Sequence, residues 1–120
     1  MTFNVVVNNR QRITRVFAAL ADPTRRQIVQ RLSQQGEIRV TTLAKPFRMS
    51  LPAISRHLRV LEKARLIKRH RRGREHLIQP YAAGLEDARK WIAQCAAGWE
   101  SAFDNLDALL KIAQEKGRMQ

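Results

Sequence analysis

The stretch TTLAKPFRMSLPAISRHLRVLEKARL, residues 41–66, decides the fold of this chain. Ser50 stands directly before Leu51 and Pro52, and its hydroxyl can accept a hydrogen bond from a free backbone N–H of a first helical turn. Proline suits that turn because its missing N–H would have no partner there. The sequence therefore predicts that a helix begins at Ser50.

The apolar side chains of this helix are predicted to lie on one face. Ile54, Leu58 and Leu61 recur at i, i+4 and i+7, which is the spacing of a buried helical face. The other face is then free to contact a partner. It carries Leu51, Ser55, Arg56 and Arg59.

A shorter helix is predicted just before the turn. Thr41 or Thr42 is expected to cap it, and Pro46 limits it to one or two turns. Its apolar contacts come from Leu43, Ala44 and Phe47. Two short helices joined by so tight a turn must cross steeply, which is the helix-turn-helix arrangement.

Upstream of this motif the sequence predicts an arm and a first helix. Residues 1–9 show no helical period and are expected to form an N-terminal arm, extended or disordered. We expect one domain over residues 10–120. Its first helix carries an apolar stripe of Ile13, Val16, Phe17 and Leu20.

A second helix and a strand are predicted between the first helix and the motif. Asp22 is expected to cap the helix, Pro23 to begin it and Gly36 to end it. Its inner face carries Ile28, Val29 and Leu32. Residues 37–40 are predicted to form a short strand.

Two strands around a basic turn are predicted after the motif. Residues 66–70 and 75–79 enclose Arg71, Arg72, Gly73 and Arg74, and glycine can adopt the positive φ of a hairpin turn. The arginines are then expected at the tip of a hairpin that can reach the minor groove or phosphates of DNA. The alternative is a solvated basic turn with no partner.

The last third of the chain predicts a long helix, residues 82–116, that needs a partner. Apolar and small residues alternate steps of three and four over about four heptads. The seam consists of Leu85, Ala88, Ile92, Cys95, Trp99, Ala102, Leu106, Leu109 and Ala113. The alternative is a core helix within one chain, but a domain this small has little surface left to cover it. We therefore predict a dimer interface made by this helix, with Phe103 beside the seam and with Ile13 and Phe17 of the first helix.

Composition independently favours a polyanionic partner. Twenty-three Lys and Arg against ten Asp and Glu give a formal charge of +13 on 120 residues, and such a surface attracts nucleic acid. RNA and acidic membranes are alternatives, but the basic residues concentrate from Arg56 to Arg74 rather than in a tail. No segment is apolar enough to span a membrane, the opening MTFNVVV is not a signal peptide, and one cysteine allows no internal disulfide. We expect a cytoplasmic protein.

Three separated stretches resemble the ArsR/SmtB family of bacterial winged-helix transcriptional repressors. They are ALADPTRRQIVQRL at residues 19–32, LAKPFRMSLPAISRHLRVLEKARLI at residues 43–67 and RRGRE at residues 71–75. The resemblance covers nearly the whole chain after about residue 10 and is strongest to the branch without metal-ligand sequences. It implies a mainly α fold with a small β-hairpin, a winged helix-turn-helix that forms a homodimer through its terminal helices and binds a palindromic DNA operator.

The resemblance also implies which residues contact DNA. The second helix of the motif would enter the major groove, and the hairpin would be the wing. The expected DNA-binding residues are Thr42, Ser50, Leu51, Pro52, Ser55, Arg56 and Arg59 in the motif and Arg71, Arg72 and Arg74 in the wing. Arg56 and Arg59 are the leading candidates for base or phosphate contacts, because an arginine fork can pair with guanine.

The sequence does not identify an inducing signal. Metal-sensing members of the family carry paired cysteines on the short helix or Asp and His clusters on the terminal helix, whereas this chain reads VTTLAKPF at residues 40–47 and has no histidine in the terminal helix. We expect no metal, no cofactor and no metal sensing, although His70 and His76 could face each other across the hairpin. A redox-responsive regulator through Cys95 is an alternative, and burial of Cys95 as a small apolar residue is favoured over it.

The sequence disfavours an enzymatic function and leaves one other binding function open. An enzyme is not expected, because the chain has no Gly-rich phosphate loop and no nucleophile with a matched base; Ser55 and His57 lie two apart on a helix and diverge. His57 is expected to be a packed, hydrogen-bonded residue instead. A winged-helix module that binds RNA or docks a protein remains open, because a fold does not fix a function.

The sequence departs from the pattern of the family at two turns, at Met49 and at Arg65, where members often have glycine. Members commonly have glycine where this chain has Arg65, directly after the second helix of the motif. If Arg65 has a left-handed backbone, replacing it by glycine is expected to stabilise the fold by about 1 kcal/mol.

Overall fold

A computed structural model describes the backbone of residues 2–119 and the side chains of residues 9–117. The fold is mainly helical, with one small antiparallel sheet. In chain order the elements are α1 (Thr2–Leu20), α2 (Pro23–Gln35), β1 (Ile38–Arg39), α3 (Val40–Ala44), α4 (Leu51–Lys63), β2 (Ile67–Arg72), β3 (Glu75–Pro80) and α5 (Ala83–Met119).

The chain consists of two compact units rather than the single predicted domain over residues 10–120. The first is Met1–Ala88 and the second is Arg89–Gln120. The division falls inside α5, because only the first turns of that helix carry side chains, such as Ala88, that join the core of the first unit.

The predicted N-terminal arm is wrong for the residues that the structure describes. Residue 1 lies outside them, and residues 2–9 are helical because α1 begins at Thr2. Extending an existing helix by one residue costs far less than nucleating one, so the amphipathic segment from residue 10 onward can carry a weakly helical segment with it. Periodicity alone does not detect such an extension.

The boundary between α1 and α2 follows the predicted capping. Asp22 is the N-cap of α2, its Oδ2 accepts a hydrogen bond from the backbone N–H of Arg25 at 3.1 Å, and Pro23 occupies the first turn. Gly36 ends the helix with φ of 74°. Ile28 and Leu32 are buried, as their spacing predicts.

The sheet contains the predicted hairpin and a short third strand. Its order is β1-β3-β2, with both pairs antiparallel. Arg72 pairs with Glu75 across a two-residue turn of Gly73 and Arg74, and Gly73 has φ of 65°. The short strand predicted at residues 37–40 is β1, which pairs Ile38 with Ile78. We call β2, β3 and this turn the wing.

The core of the first unit lies between α4, the earlier helices and the sheet. The predicted inner face of α4 is confirmed, since Ile54, Leu58 and Leu61 have no exposed surface. Leu43 of α3 is also fully buried. Other fully or almost fully buried side chains are Val16, Ala19, Ile28, Leu32, Ile67 and Ile78.

The segment between α4 and β2 contains the one unusual non-glycine backbone conformation among the described residues. Arg65 has φ of 60°, so the left-handed conformation expected there is confirmed. Its carbonyl oxygen accepts a hydrogen bond from the N–H of Gly84 at 2.8 Å. A Cβ on Gly84 would overlap the carbonyl oxygen of Ala64. Glycine is therefore required where the start of α5 passes the end of α4.

The second unit is a helical segment with large exposed apolar side chains. Between residues 89 and 117 only Cys95 is even half-buried. Trp99 is 69% exposed and Leu109 is 64% exposed. None of the described helices has the length and hydropathy needed to cross a membrane.

Candidate nucleic-acid interface

The interface begins at α3, whose N-terminus differs from the sequence prediction. Neither Thr41 nor Thr42 caps the helix, because β1 runs directly into it and Arg39 becomes the N-cap without a side-chain capping bond. Both threonines lie inside α3 and are exposed. The predicted capping role is wrong, but Thr42 stays available to a partner.

The N-terminus of α4 is built as predicted. Ser50 has an extended backbone, and its Oγ accepts a hydrogen bond from the backbone N–H of Ala53 at 3.3 Å. Leu51, in the first turn, is 58% exposed although it is a large apolar residue. Because this leucine is exposed at the start of the helix, its side chain is available to contact an apolar group of a partner.

The outward face of α4 presents two arginines. Arg56 and Arg59 are exposed, and no carboxylate of the described residues lies within ion-pair distance of either. Ser50 and Pro52 are exposed beside them, and Ser55 is half-buried. The two guanidinium groups therefore keep their hydrogen-bond donors for a partner.

The back of α4 is held by a hydrogen-bonded arginine. Arg25 donates from Nε to the carbonyl of Ala19 at 2.7 Å and from Nη2 to that of Ala18 at 3.1 Å, and its Nη1 lies 3.3 Å from Nδ1 of His57. Because arginine can only donate, Nδ1 of His57 must accept. His57 is thus a packed, hydrogen-bonded residue, as predicted.

Asp22 supports the same corner. Its Oδ2 lies 3.9 Å from Nδ1 of His57. The backbone N–H of Arg25 holds the pKa of Asp22 below its ordinary value, with a smaller contribution from the charge of Arg25.

The wing carries its arginines at and beside the turn. Arg71, Arg72 and Arg74 are all exposed. Nη2 of Arg72 lies 3.6 Å from Oε1 of Glu37 with 74% of its side chain exposed, so the pair contributes little and leaves the guanidinium accessible. Arg39 and Glu75 form a second exposed pair at 3.1 Å.

The two wing histidines do not face each other. The register pairs His70 with Leu77 and His76 with Arg71, so the juxtaposition that the sequence allowed does not form. Nε2 of His70 instead lies 2.9 Å from Oε1 of Glu37. The described residues contain no group of three His, Cys, Asp or Glu side chains arranged for a metal ion.

A groove of about 450 Å³ joins α4 to the wing. We call it the wing groove. On the helical side it is lined by Val40 and Thr41 of α3 and by Leu51 and Ser55 of α4. On the sheet side it is lined by Arg39, Arg69, Arg74, Glu75 and His76. The groove thus connects the two predicted DNA-contacting elements.

The sequence analysis did not predict that Arg39 and Arg69 line the wing groove. Arg69 lies two residues after the buried Ile67 in β2, so both side chains point to the inner face of the strand. A charged residue at an inward position of a predicted strand is a detectable signal. The predicted strand contained Arg69, but the sequence did not determine the register of β2 against β3 that places Arg69 in the groove.

The predicted dimer residues are exposed with few exceptions. Ala88 is only 5% exposed and belongs to the core of the first unit, so it is not available to a partner and leaves the predicted set. Ile13 and Cys95 are half-buried, and Phe17 is 37% exposed. The remaining exposed members are Leu85, Ile92, Trp99, Ala102, Phe103, Leu106 and Leu109.

Comparison with known proteins gives consistent matches. The family described as "Bacterial regulatory protein, arsR family" matches residues 22–69. The transcriptional repressor SdpR of Bacillus subtilis strain 168 is 36% identical over 77 residues, which are 64% of this chain and 84% of SdpR. The HTH-type transcriptional regulator Rv2034 of Mycobacterium tuberculosis is 43% identical over 75 residues, 62% of this chain and 69% of that protein.

Solved structures show the same fold. The crystal structure of the ArsR family regulator RHA00566 matches with a TM-score of 0.72 and 37% identity over 77% of this chain and 94% of its own. The homodimeric winged helix-turn-helix DNA-binding domain of Mb0332 from Mycobacterium bovis, a possible ArsR-family regulator, matches with a TM-score of 0.56 and 31% identity, covering 73% and 80%.

Proposed function

Because this chain belongs to the ArsR family of bacterial transcriptional regulators, we propose that it is a homodimeric repressor that binds an inverted-repeat operator in double-stranded DNA. The family consists of DNA-binding regulators, which are not enzymes, and the chain has their winged helix-turn-helix fold. Beyond DNA binding and this fold, we propose the operator type, the homodimer and the residues that contact DNA.

The observation that carries the proposal is the capped helix α4 with Arg56 and Arg59 facing outward beside a basic wing. A helix of this kind fits the major groove, where an arginine fork pairs with guanine and discriminates by about 1–3 kcal/mol per base. We assign base or phosphate contacts to Arg56, Arg59 and Ser55, and a thymine-methyl contact to Leu51. Ser50, Pro52 and Thr42 would lie at the edge of the same contact, and Arg71, Arg72 and Arg74 would contact phosphates or the minor groove.

The exposed apolar stripe of α5 supports the dimer. Ile92, Trp99, Phe103 and Leu106 are each more than half exposed, and a contiguous apolar surface of this kind marks an interaction site. The M. bovis domain is described as homodimeric. A two-fold pair of α4 helices would read half-sites about 34–36 Å apart.

The regulated promoter would be that of its own or a neighbouring gene, and the site of action the cytoplasm. No metal sensing is proposed, since the sequences that carry metal ligands in the family are absent from VTTLAKPF and the terminal helix. A redox signal through Cys95 and an RNA-binding or protein-docking role are the alternatives.

Titration of three nucleic acids tests the proposal. The probes are a duplex with an inverted repeat taken from upstream of the gene, a scrambled duplex and an RNA of equal length. We expect the inverted repeat to bind about 10³-fold or more tightly than the scrambled duplex at physiological salt. Arg59→Ala should lower specific affinity selectively, whereas Arg72→Ala should weaken both duplexes alike and lower the salt slope. Equal binding of all three probes would refute the proposal.

A further inference from the structure

Two of the three guanidinium nitrogens of Arg69 are shielded from water and have no hydrogen-bond partner among the described residues. These two nitrogens are Nε and Nη2. A buried donor left in this way costs on the order of 1–3 kcal/mol, and more when it is charged. A ligand that supplies the missing acceptor would offset this cost.

The surroundings of Arg69 lack an anion to complement it. The wing groove contains the side chains of Arg39, Arg69 and Arg74 and one carboxylate, that of Glu75. Glu75 is already paired with Arg39 at 3.1 Å. Arg69 and Arg74 therefore leave an excess of two positive charges in the groove.

The remaining walls suit an oxyanion attached to a larger body. Thr41 and Ser55 contribute hydroxyl groups, and Val40 and Leu51 contribute apolar surface. The volume of about 450 Å³ falls in the range of small-molecule sites, roughly 300–1,000 Å³, and exceeds the need of a single inorganic ion.

We propose that the wing groove is a phosphate-binding site in which Arg69 binds the phosphate group. Arginine matches phosphate with a bidentate fork. Because Nε and Nη2 are shielded from water, the guanidinium of Arg69 would turn toward the groove on binding, and both donors would then be satisfied. The phosphate has two sources with the same chemistry, the backbone of bound duplex DNA or a small phosphorylated molecule. Because Leu51, Ser55 and Arg74 also belong to the proposed DNA contacts, a small molecule in the groove would compete directly with DNA.

Calorimetry of the full chain with pyrophosphate tests the site without DNA. At constant ionic strength, held with chloride, we expect pyrophosphate to bind and Arg69→Met to lower its affinity about tenfold or more. Lys68→Met is the matched control, because this substitution removes the same charge from the same strand. The side chain of Lys68 lies on the other face of the strand, over the ring of Tyr81. Its affinity should stay within about twofold of the native protein.

A salt titration with duplex DNA separates the two sources. This arm alone rests on the proposed function, and a scrambled duplex suffices for it. If the occupant is a DNA phosphate, Arg69→Met should lower the slope of log K against log salt by about 0.9, and Lys68→Met should not. If the occupant is a small molecule, the slope should stay unchanged, and pyrophosphate should displace DNA from the native chain but not from Arg69→Met.

The stability of Arg69→Met distinguishes binding from a structural role. Because Arg69 makes no hydrogen bond with the described residues, the variant should be at least as resistant to urea as the native chain. Arg69→Gln also removes the charge, and it carries both titrations should Arg69→Met fail to fold. The proposal is overturned if the Arg69 variants match Lys68→Met in both titrations, or if they lose phosphate affinity only through unfolding.

Discussion

Arg65 has a left-handed backbone conformation that favours glycine. Contacts of its long, charged side chain explain why this strain is tolerated. Nη1 lies 3.6 Å from Oδ2 of Asp87, and the guanidinium lies 5.8 Å from the ring centre of Tyr81. The side chain of Arg65 lowers the pKa of the Tyr81 phenol, with a further contribution from the charge of Lys68. Arg65 therefore ties the end of α4 to the start of α5.

These contacts change the expected effect of Arg65→Gly. Relief of the left-handed backbone is worth about 1 kcal/mol, and the half-exposed ion pair offsets up to about that amount. We expect a smaller gain than 1 kcal/mol in the native chain and a larger gain when Asp87→Asn has already removed the pair. Urea unfolding of the four chains in this cycle measures the difference. Equal effects in both backgrounds would show that the ion pair contributes nothing.

Gly84→Ala should be destabilising despite the helical preference of alanine. The added Cβ would overlap the carbonyl of Ala64 and lie 2.9 Å from that of Arg65, and neither backbone group can move aside cheaply. We expect a loss of about 2 kcal/mol in the free energy of unfolding. Gly98→Ala is the control, since a Cβ there meets no described atom within 4 Å, and it should stabilise by up to about 1 kcal/mol. A neutral Gly84→Ala would mean that the two segments are not packed this closely.

Among the helices, α2 provides a titratable cap. The lowered pKa of Asp22 means that its ionised form is favoured in the folded chain. Its contribution is present above the ordinary value of 3.8 and is lost as the pH falls through the lower folded value. Asparagine also caps helices but does not titrate in this range.

The free energy of unfolding should therefore fall more steeply with acid in the native chain than in Asp22→Asn. Urea unfolding at intervals between about pH 5 and pH 2 would show the two curves converging as the pH drops. Asp104→Asn, at an exposed position in α5, is the control and should leave the slope nearly unchanged. Parallel curves for the native chain and Asp22→Asn would contradict the capping role of the carboxylate.

The elements that local chemistry specifies were the ones predictable from sequence. Ser50, Asp22 and Gly36 set their helix ends through a single hydrogen bond or a backbone angle, and all three do so in the structure. The start of α3 was not predictable in this way, because the threonine signal competes with a strand that leads straight into the helix.

Features that depend on long-range packing escaped the sequence. Gly84 is required by Ala64 and Arg65, about twenty positions away, and no local pattern reports that contact. The groove around Arg69 depends on the register of β2 against β3, which a one-residue shift would change. The outward position of Arg56 and Arg59 was easier to predict, since an outward helical face follows from the positions of the inward one.

The charge of the chain is divided unevenly along its length. Residues 83–120 carry five Lys or Arg and six Asp or Glu, which is a formal charge of −1. Because the whole chain carries +13, residues 1–82 carry +14. The segment with the exposed apolar stripe is thus the nearly neutral one. Two copies can associate through it without the repulsion that the basic segment would impose.

Leu106→Glu should therefore produce a monomer. Leu106 lies in the apolar stripe and is 51% exposed. The control is Ile112→Glu, because Ile112 is 50% exposed but lies about 120° around the helix from Leu106. At micromolar concentrations sedimentation should show dimers for the native chain and the control, and monomers for Leu106→Glu. Dimerisation of all three, or of none, would contradict the assignment of this face.

The arginine behind α4 has a mechanical consequence for control of the protein. Arg25 is bonded at once to the last carbonyls of α1 and to a side chain of α4, so these two helices cannot rotate independently without breaking a hydrogen bond. A displacement of α1 would therefore strain the hydrogen bond between Arg25 and His57 of α4, the helix proposed to contact DNA. A ligand that displaces α1 would thus change the orientation of α4 without contacting the proposed DNA-binding surface.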